Sequence, residues 1–412
     1  MSNMNRVILH CDCNNFFASV ETVLCPEYRG VPMAVCGSEE DRHGIVLAKN
    51  ELAKKYGIKT AETVYSARKK CPGLVIAKPH YSAYSEYSRK VNAIYAKYTD
   101  MIEPFGIDES WLDVTASKKL FGSGEQIAER IRREVKAELG ITVSIGVSFN
   151  KIYAKLGSDY KKPDAITVIN EDNYKQIVYP LPVGDMLYIG ARTREELAKI
   201  GIRTIGALAA ASGELLFAKF GKMGHAMGKC ARGLDDSPVS KVGEHEDAKS
   251  IGTGLTFKHD LVKKDEWLVG INHLSDDVAR RLRAEKLKCS TVQLTIKDPF
   301  LRVIQRQRPV KPQTDIAKEI SAVAFSILED EWIEGKPIRM LTVTAAALTR
   351  DEHLAEQLDF FGDIDSAKRE KSKKKEETVD IIRQKFGSDS ITNAGAIGTD
   401  IGIKPKRGSS DD

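Results

Sequence analysis

Three carboxylates in this chain stand where a carboxylate needs a cation. Asp12 closes an apolar run, Val7 to Asp12, that alternates as a strand, so its side chain has lost water on one side and calls for a positive partner. Asp108 and Glu109 are adjacent in PFGIDESWLDV, between two apolar segments, and neighbouring acids repel unless something positive holds them. Each has an ordinary reading by itself: Asp12 as the cap of a helix opening near Phe16, the pair as a surface hairpin turn. Together they describe a different chemistry. Oxygen donors without His or Cys select magnesium or manganese, and two such ions about 3.5 to 4 Å apart suit in-line phosphoryl transfer.

For the three acids to meet, the first strand must lie beside the connection that carries the pair. Apolar alternation predicts strands at Val7 to Asp12, Val31 to Cys36, Ile45 to Leu47 and Leu74 to Ile76, and helices at Phe16 to Leu24, Glu51 to Tyr56 and Ala83 to Tyr98. Met101 to Ile107 and Trp111 to Thr115 follow as a strand pair. After them come a helix over Gly124 to Leu139, a strand over Ile141 to Val147, a helix over Asn150 to Asp159 and a strand over Ala165 to Ile169. Without the insert from about 18 to 76, this is the split pattern of a ferredoxin-like core, in which the first strand and the central hairpin are neighbours. The three acids then converge on one end of one sheet.

Residues from about 171 to 240 read as a small all-helical domain broken by Gly190, Gly201 and Gly206. GEHEDAKS has linker composition. Beyond it, Ser250 to Phe257, Glu266 to Lys286, Ser290 to Lys297, Leu301 to Val310, Asp315 to Glu331 and Ile338 to Leu348 alternate as strand, helix, strand, strand, helix, strand, which implies a second ferredoxin-like unit. The charged run SAKREKSKKKEE and the polar end predict a mobile tail with one short helix near Val379 to Phe386.

A chain of 412 residues, 42% of them apolar, is expected to fold as about two to four domains. No charged leader or span-length apolar segment is seen, so a cytoplasmic protein without membrane attachment is expected. Seven scattered cysteines suggest neither a disulfide framework nor a zinc site. The net charge of +5, a small difference between 63 basic and 58 acidic residues, permits nucleic-acid binding without requiring it.

HCDCNNFFASVE, GIDESWLDVT, GVSFNKIYAKLGSDYKKPDAITVI and KSIGTGLTF resemble, in order and over about 350 residues, the motifs of the Y-family DNA polymerases, which include bacterial polymerase IV and the catalytic subunit of polymerase V. The resemblance implies an α/β multidomain (α+β) right-hand polymerase. A ferredoxin-like palm would span 1–17 and 77–170, small fingers 18–76, a helix-hairpin-helix-like thumb 171–240, a linker 241–248, a βαββαβ little finger 249–350 and a flexible tail 351–412. Asp12, the backbone carbonyl of Cys13, Asp108 and Glu109 would hold two magnesium ions, with manganese as a substitute.

Phe17 matches the family's steric gate beneath the sugar of the incoming deoxynucleotide. Phe16 beside it reads as core packing at the edge of the nucleotide site. Lys162 matches the triphosphate-binding lysine. Where family members often carry Asn-Tyr-x-Ala-Arg, this chain has Asn50, Glu51, Leu52, Ala53 and Lys54; Lys54 keeps a charge but loses the bidentate fork of arginine. Gly106 replaces the usual serine before the acidic pair.

In the thumb, Tyr188, Ile189 and Gly190 stand where Gly-x-Gly is usual, and Gly190, Arg192 and Thr193 are candidates for phosphate contact. Lys249, Ser250, Arg302, Arg306 and Arg308 are candidates for DNA contact from the little finger, the three arginines sharing one face by alternation. Gln357, Leu358, Asp359, Phe360 and Phe361 resemble the peptide by which bacterial polymerases bind the sliding clamp. The implied activity is low-fidelity, lesion-bypass DNA synthesis on primer–template DNA with deoxynucleoside triphosphates, by a monomer acting alone or with accessory proteins of the SOS damage response. The competing reading is a catalytically inactive scaffold that binds DNA and the clamp.

Overall fold

Strand β1 (Ile8–Cys13) is buried at all six positions because it lies inside a sheet with both faces covered. The computed structural model describes residues 6–40, 42, 44–244, 248–350, 363–387, 390–392, 395 and 399–403. These form two compact units, one of residues 1–37 and 45–245, the other of residues 38–44 and 246–412.

In the first unit, α1 (Phe16–Leu24) follows β1 and leads to an inserted sheet of β2 (Met33–Cys36), β3 (Val46–Lys49) and β4 (Val75–Ala77), with α2 (Glu51–Lys55) and α3 (Val64–Lys70) between the last two strands. The inserted sheet runs β3-β2-β4. Helix α3 is absent from the periodicity reading because only Val64 and Ala67 are buried on it, too few to show a stripe; the Thr63 side chain caps it.

The chain continues through α4 (Tyr81–Tyr95), β5 (Ile102–Pro104), β6 (Glu109–Asp113), α5 (Lys118–Phe121), α6 (Gly124–Leu139), β7 (Val143–Ser148), α7 (Lys151–Tyr160) and β8 (Ile166–Val168). The main sheet is ordered β5-β6-β1-β7-β8. Its first four strands have the ferredoxin-like arrangement expected, first and third strands central, and β8 adds a parallel edge beside β7. Leu9, Cys11 and Cys13 pack with Tyr84, Val91 and Ile127 on one face, whereas Ile8 joins Trp111 and Ala154 on the other. Helix α7 lies so close to the sheet that a Cβ on Gly146 would meet the carbonyl of Ala154 at 1.9 Å, so only glycine fits there.

Helices α8 (Tyr174–Val178), α9 (Ala191–Lys199), α10 (Ile205–Ala210), α11 (Gly213–Phe220) and α12 (Lys222–Ala231) follow. Their core, with Leu197, Ile205, Leu208 and Leu216, is shared with Ile152, Tyr153 and Leu156 of α7.

The second unit is β9 (Ser250–Leu261), α13 (Lys264–Ala284), β10 (Leu287–Lys297), β11 (Val303–Thr314), α14 (Ala317–Glu331) and β12 (Ile338–Arg350). The βαββαβ succession is as expected, but the sheet order β11-β10-β12-β9 puts the second and fourth strands at the centre. The unit is therefore a different arrangement from the ferredoxin-like one of the first sheet.

The short tail helix expected near Val379 to Phe386 is instead the last part of α15 (Asp363–Phe386), which is 24 residues long and tied to the second unit. Arg283 pairs with Glu376 at 2.5 Å and Asp380 at 2.6 Å, and Arg383 with Asp276 at 2.8 Å. Farther on, Ile401 and Ile403 are buried in that unit's core and the Lys258 amide donates to the Ile401 carbonyl at 3.2 Å. Glu376, Asp380, Arg383, Ile401 and Ile403 are therefore anchor points to the second unit. The expected clamp peptide, Gln357 to Phe361, lies outside the described residues.

Candidate active site

Asp12 sits at register opposite Glu109 on β6 and Ser144 on β7, so two of the three acids are brought to one end of the sheet by strand pairing alone. Asp108 precedes β6 by one residue, and its carbonyl accepts the amide of Cys13 at 3.0 Å. A cleft of about 310 Å³ opens there, lined by Asp12, Cys13, Phe16, Phe17, Asp108, Glu109 and Lys162 from the main sheet and its loops. Asn15, Ile107 and, from the inserted sheet and its turns, Leu47, Ala48, Lys49 and Thr60 complete it.

Among the described residues no three His, Cys, Asp or Glu side chains are drawn together as a ligand set. The acids are held by ammonium groups instead. Lys162 Nζ is 2.6 Å from Asp12 and 2.7 Å from Asp159. Lys155 Nζ lies 2.9 Å from Glu109, 3.3 Å from Asp12 and 3.4 Å from Asp159. Nothing in the sequence marks Lys155, because Tyr-Ala-Lys in the middle of a helix gives no separate signal. Its burial among three acids is visible only once α7 lies across the strand ends.

Burial pushes the Asp12 carboxyl up to about 6, against the pull of Lys162 and Lys155. Burial and the neighbouring Glu109 also raise Asp108. Burial would raise Glu109 too, but the contact with His10 and the ammonium of Lys155 outweigh it and hold this carboxyl well below the usual range. Such a divided acid set, with one member readily ionised and two that resist it, gains from a strong positive charge. Glu109 Oε2 is buried and held by the Lys155 ammonium at 2.9 Å, and His10 Nε2 faces it at 3.4 Å. Oxygen-only donors, two of them carboxyls that burial keeps from ionising freely, fit a hard divalent ion.

Phe17 is half-buried, with its ring stacked on Tyr84 at 4.1 Å and 11° and edge-on to Tyr81 at 6.2 Å. The Tyr84 hydroxyl donates to the buried carboxylate of Glu21, which also holds His80 at 2.9 Å. Phe16 faces the core and also reaches the cleft. Tyr84 and Glu21 were not distinguished from ordinary helix residues by sequence.

Other expected contacts are placed differently. Asn50 spends its side chain on backbone, accepting from Ala53 at 2.9 Å and Met33 at 3.1 Å and donating to Val31 at 2.8 Å, so it builds the start of α2 and has no place among the cleft-lining residues. Lys54 pairs with Glu51 at 2.7 Å, and Glu51 also accepts from Asn15 at 2.8 Å. The cation that lines the cleft from this segment is Lys49, hydrogen-bonded to Thr60 at 2.9 Å. Gly190 is the N-cap of α9, Arg192 and Thr193 lie in its first turn, and Tyr188 takes a left-handed backbone, φ 71°, where a glycine is usual.

Lys249 and Ser250 are exposed at the start of β9. Arg306 and Arg308 do share a face, but it is the one that β11 turns toward α14: they are opposite Leu294 and Val292, which are buried, and pair with Glu331 at 3.1 Å and with Asp330. Alternation alone could not say which face the helices cover. Arg302 lies before β11, its guanidinium 5.7 Å from the ring of Phe300.

Comparison with known proteins points the same way as the cleft. The sequence model of the impB/mucB/samB family matches residues 11–159, and that of the same family's C-terminal domain matches residues 248–360. A DNA polymerase IV of Acetivibrio thermocellus is 47% identical over 388 residues, 94% of this chain and 96% of that protein. A DNA polymerase IV of Clostridium kluyveri is 38% identical over 398 residues, covering 96% and 98%. Among solved structures, a Y-family DNA polymerase chimera superposes with a TM-score of 0.72 at 23% identity, over 84% of this chain and all of that one; this likeness is one of fold.

Proposed function

The chain belongs to the impB/mucB/samB family of lesion-bypass DNA polymerases, and on that premise we propose how its own residues carry out the reaction. It is a DNA-directed DNA polymerase whose substrates are primer–template DNA and deoxynucleoside triphosphates and whose cofactors are divalent metal ions. The ions proposed are two of magnesium, held by Asp12, Asp108, Glu109 and the Cys13 carbonyl. When bound they supply the positive charge that activates the primer 3′-hydroxyl and steadies the triphosphate.

The remaining work belongs to side chains already in place. Lys155 and Lys162 balance the acids until the site is loaded, and Lys162, at the rim of the cleft, then turns from Asp12 to phosphate oxygen. Phe17, backed by Tyr84, closes the space in which a ribose 2′-hydroxyl would sit. Gly190, Arg192 and Thr193 are proposed to meet the DNA backbone through the first turn of α9, with Lys249 and Ser250 as further contacts. The peptide Gln357 to Phe361 is proposed to bind the sliding clamp. A monomer working in the cytoplasm completes the reading; no described helix is long and apolar enough to cross a membrane.

The observation that carries the reading is the strand register that sets Asp12 against Glu109 at the floor of a cleft whose wall is the stacked Phe17. Primer extension by the purified chain with magnesium, comparing wild type with Asp108→Ala and Glu109→Ala, is the direct test. Each variant is expected to lose at least a hundredfold in rate. Undiminished extension by either would remove that acid from the site.

A further inference from the structure

The chain's charge is distributed unevenly. The segment from Lys49 to Lys70 holds seven basic residues and two acidic ones, a surplus equal to that of the whole 412-residue chain. Both acids are already matched, Glu51 by Lys54 at 2.7 Å and Glu62 by Lys70 at 2.5 Å. The segment's other lysines are Lys49, Lys55, Lys59 and Lys69. All but Lys49, which lines the cleft, are exposed.

Two aromatic rings stand among these cations. Tyr56, at the end of α2, is 52% exposed, and Tyr65, in the first turn of α3, is 67% exposed. Lys69 Nζ lies 4.5 Å from the Tyr65 ring centroid, and Lys70 Nζ donates to the Gly57 carbonyl at 3.0 Å, fastening the end of α3 to the turn after α2. Two large rings kept in water are costly to a fold that could have buried them, and interleaving with basic residues suits a strand that offers both phosphate and base.

We propose that the outer surface of α2, α3 and the turn joining them is a docking surface for the unpaired template strand ahead of the active site, Tyr65 and Tyr56 stacking on its bases and Lys55, Lys59 and Lys69 meeting its phosphates. This rests on the polymerase reading above. Lys49, two residues before α2, and Thr60, in the turn that joins α2 to α3, line the cleft, so the surface adjoins it in the chain at both places. In a template-directed reaction the primer ends at the site, so the nucleic acid that continues past the incoming nucleotide is single-stranded template. Stacking on exposed rings is indifferent to sequence, as a template strand requires.

The test is equilibrium binding of the full chain to a fluorescent primer–template whose template extends past the primer end by one nucleotide or by about ten, within the range one single-strand site covers. Wild type, Tyr65→Ala and Lys69→Ala are compared, with thermal melts as a check on folding. Wild type is expected to bind the long overhang about tenfold more tightly than the short one. Tyr65→Ala should lose most of that gain. Lys69→Ala should lose part of it and lower the dependence on log salt by about 0.7. The proposal is overturned if wild type gains nothing from the overhang, if the variants lose equally on both DNAs, or if they change only the KM for the nucleotide, which would make the surface a path for triphosphate. It is also overturned if the variants keep the whole gain, leaving the rings for a protein partner. Extension without any overhang effect sinks the docking surface alone, whereas absence of both DNA binding and extension sinks the polymerase reading with it.

Discussion

Phe17 can exclude a 2′-hydroxyl only if its ring cannot swing aside, and the structure gives the reason it cannot. The ring lies flat on Tyr84, and Tyr84 is itself fixed by the buried carboxylate of Glu21. Phe17→Ala is expected to raise ribonucleotide incorporation relative to deoxynucleotide by about tenfold or more, read as the ratio of the two kcat/KM values; an unchanged ratio would remove the gate. His10 makes a second residue-scale case. His10 Nδ1 is hydrogen-bonded to the Ser158 hydroxyl at 2.8 Å, and burial brings the imidazole down from 6.5 to about 4. The folded chain therefore resists a proton that the unfolded chain takes up at 6.5. The stability this represents is complete above pH 6.5 and is lost as pH falls toward 4, about 3 kcal/mol in all. Denaturant unfolding of the metal-free protein in chelator, at pH 7 and pH 4.5, should show the loss in wild type and a flatter profile in His10→Gln. Parallel profiles would show that His10 is not the group responsible. The place of Phe17 at the cleft was legible through the motif around it. Tyr84, Lys155 and His10 were not, because their roles depend on which helix crosses which strand end.

At the scale of elements, α15 is the largest departure from what periodicity suggested. Its run of lysines and glutamates looks like solvated tail, yet Glu376 reaches the start of α14, accepts the Ala317 amide at 3.0 Å and pairs with Arg283, whose side chain is 8% exposed. Helix α14 has no side-chain cap of its own at Ile316, so a residue from far along the chain supplies one. Glu376→Ala is expected to cost about 1 to 3 kcal/mol, measured by chemical denaturation, since it removes both a cap and one partner of a largely buried arginine. A cost near zero would mean that α15 contributes no anchor at this point. The second sheet carries the complementary lesson. Its six elements were legible because each is long and periodic, but which two strands lie at the centre was not. Both arrangements split the same βαβ units, and hydrophobic alternation marks a buried face without naming the neighbour. The same ambiguity sent Arg306 and Arg308 to the wrong side of β11.

For the whole molecule, the change of unit at 245 to 246 falls within the segment whose composition read as a linker. What the chain does between its last strand and its last helix is a question of connectivity. Residues 351–362, which include the proposed clamp peptide, join β12 to α15, and both belong to the second unit. The peptide is thus bracketed by anchored elements, where a free C-terminal extension was expected. A partner that binds it holds the polymerase through the second unit, and the lifetime of the enzyme on DNA should then depend on Phe360 and Phe361, the two apolar anchors of an otherwise polar segment. Phe360→Ala with Phe361→Ala is expected to abolish measurable clamp binding and bring the ratio of product length with and without clamp down to one. Ile401→Ala with Ile403→Ala, which loosens the far anchor, should lower the melting temperature of the second unit and leave that ratio above one. If the isoleucine pair instead removes clamp stimulation as fully as the phenylalanine pair, clamp binding requires the anchored tail itself, and the peptide is not sufficient for it.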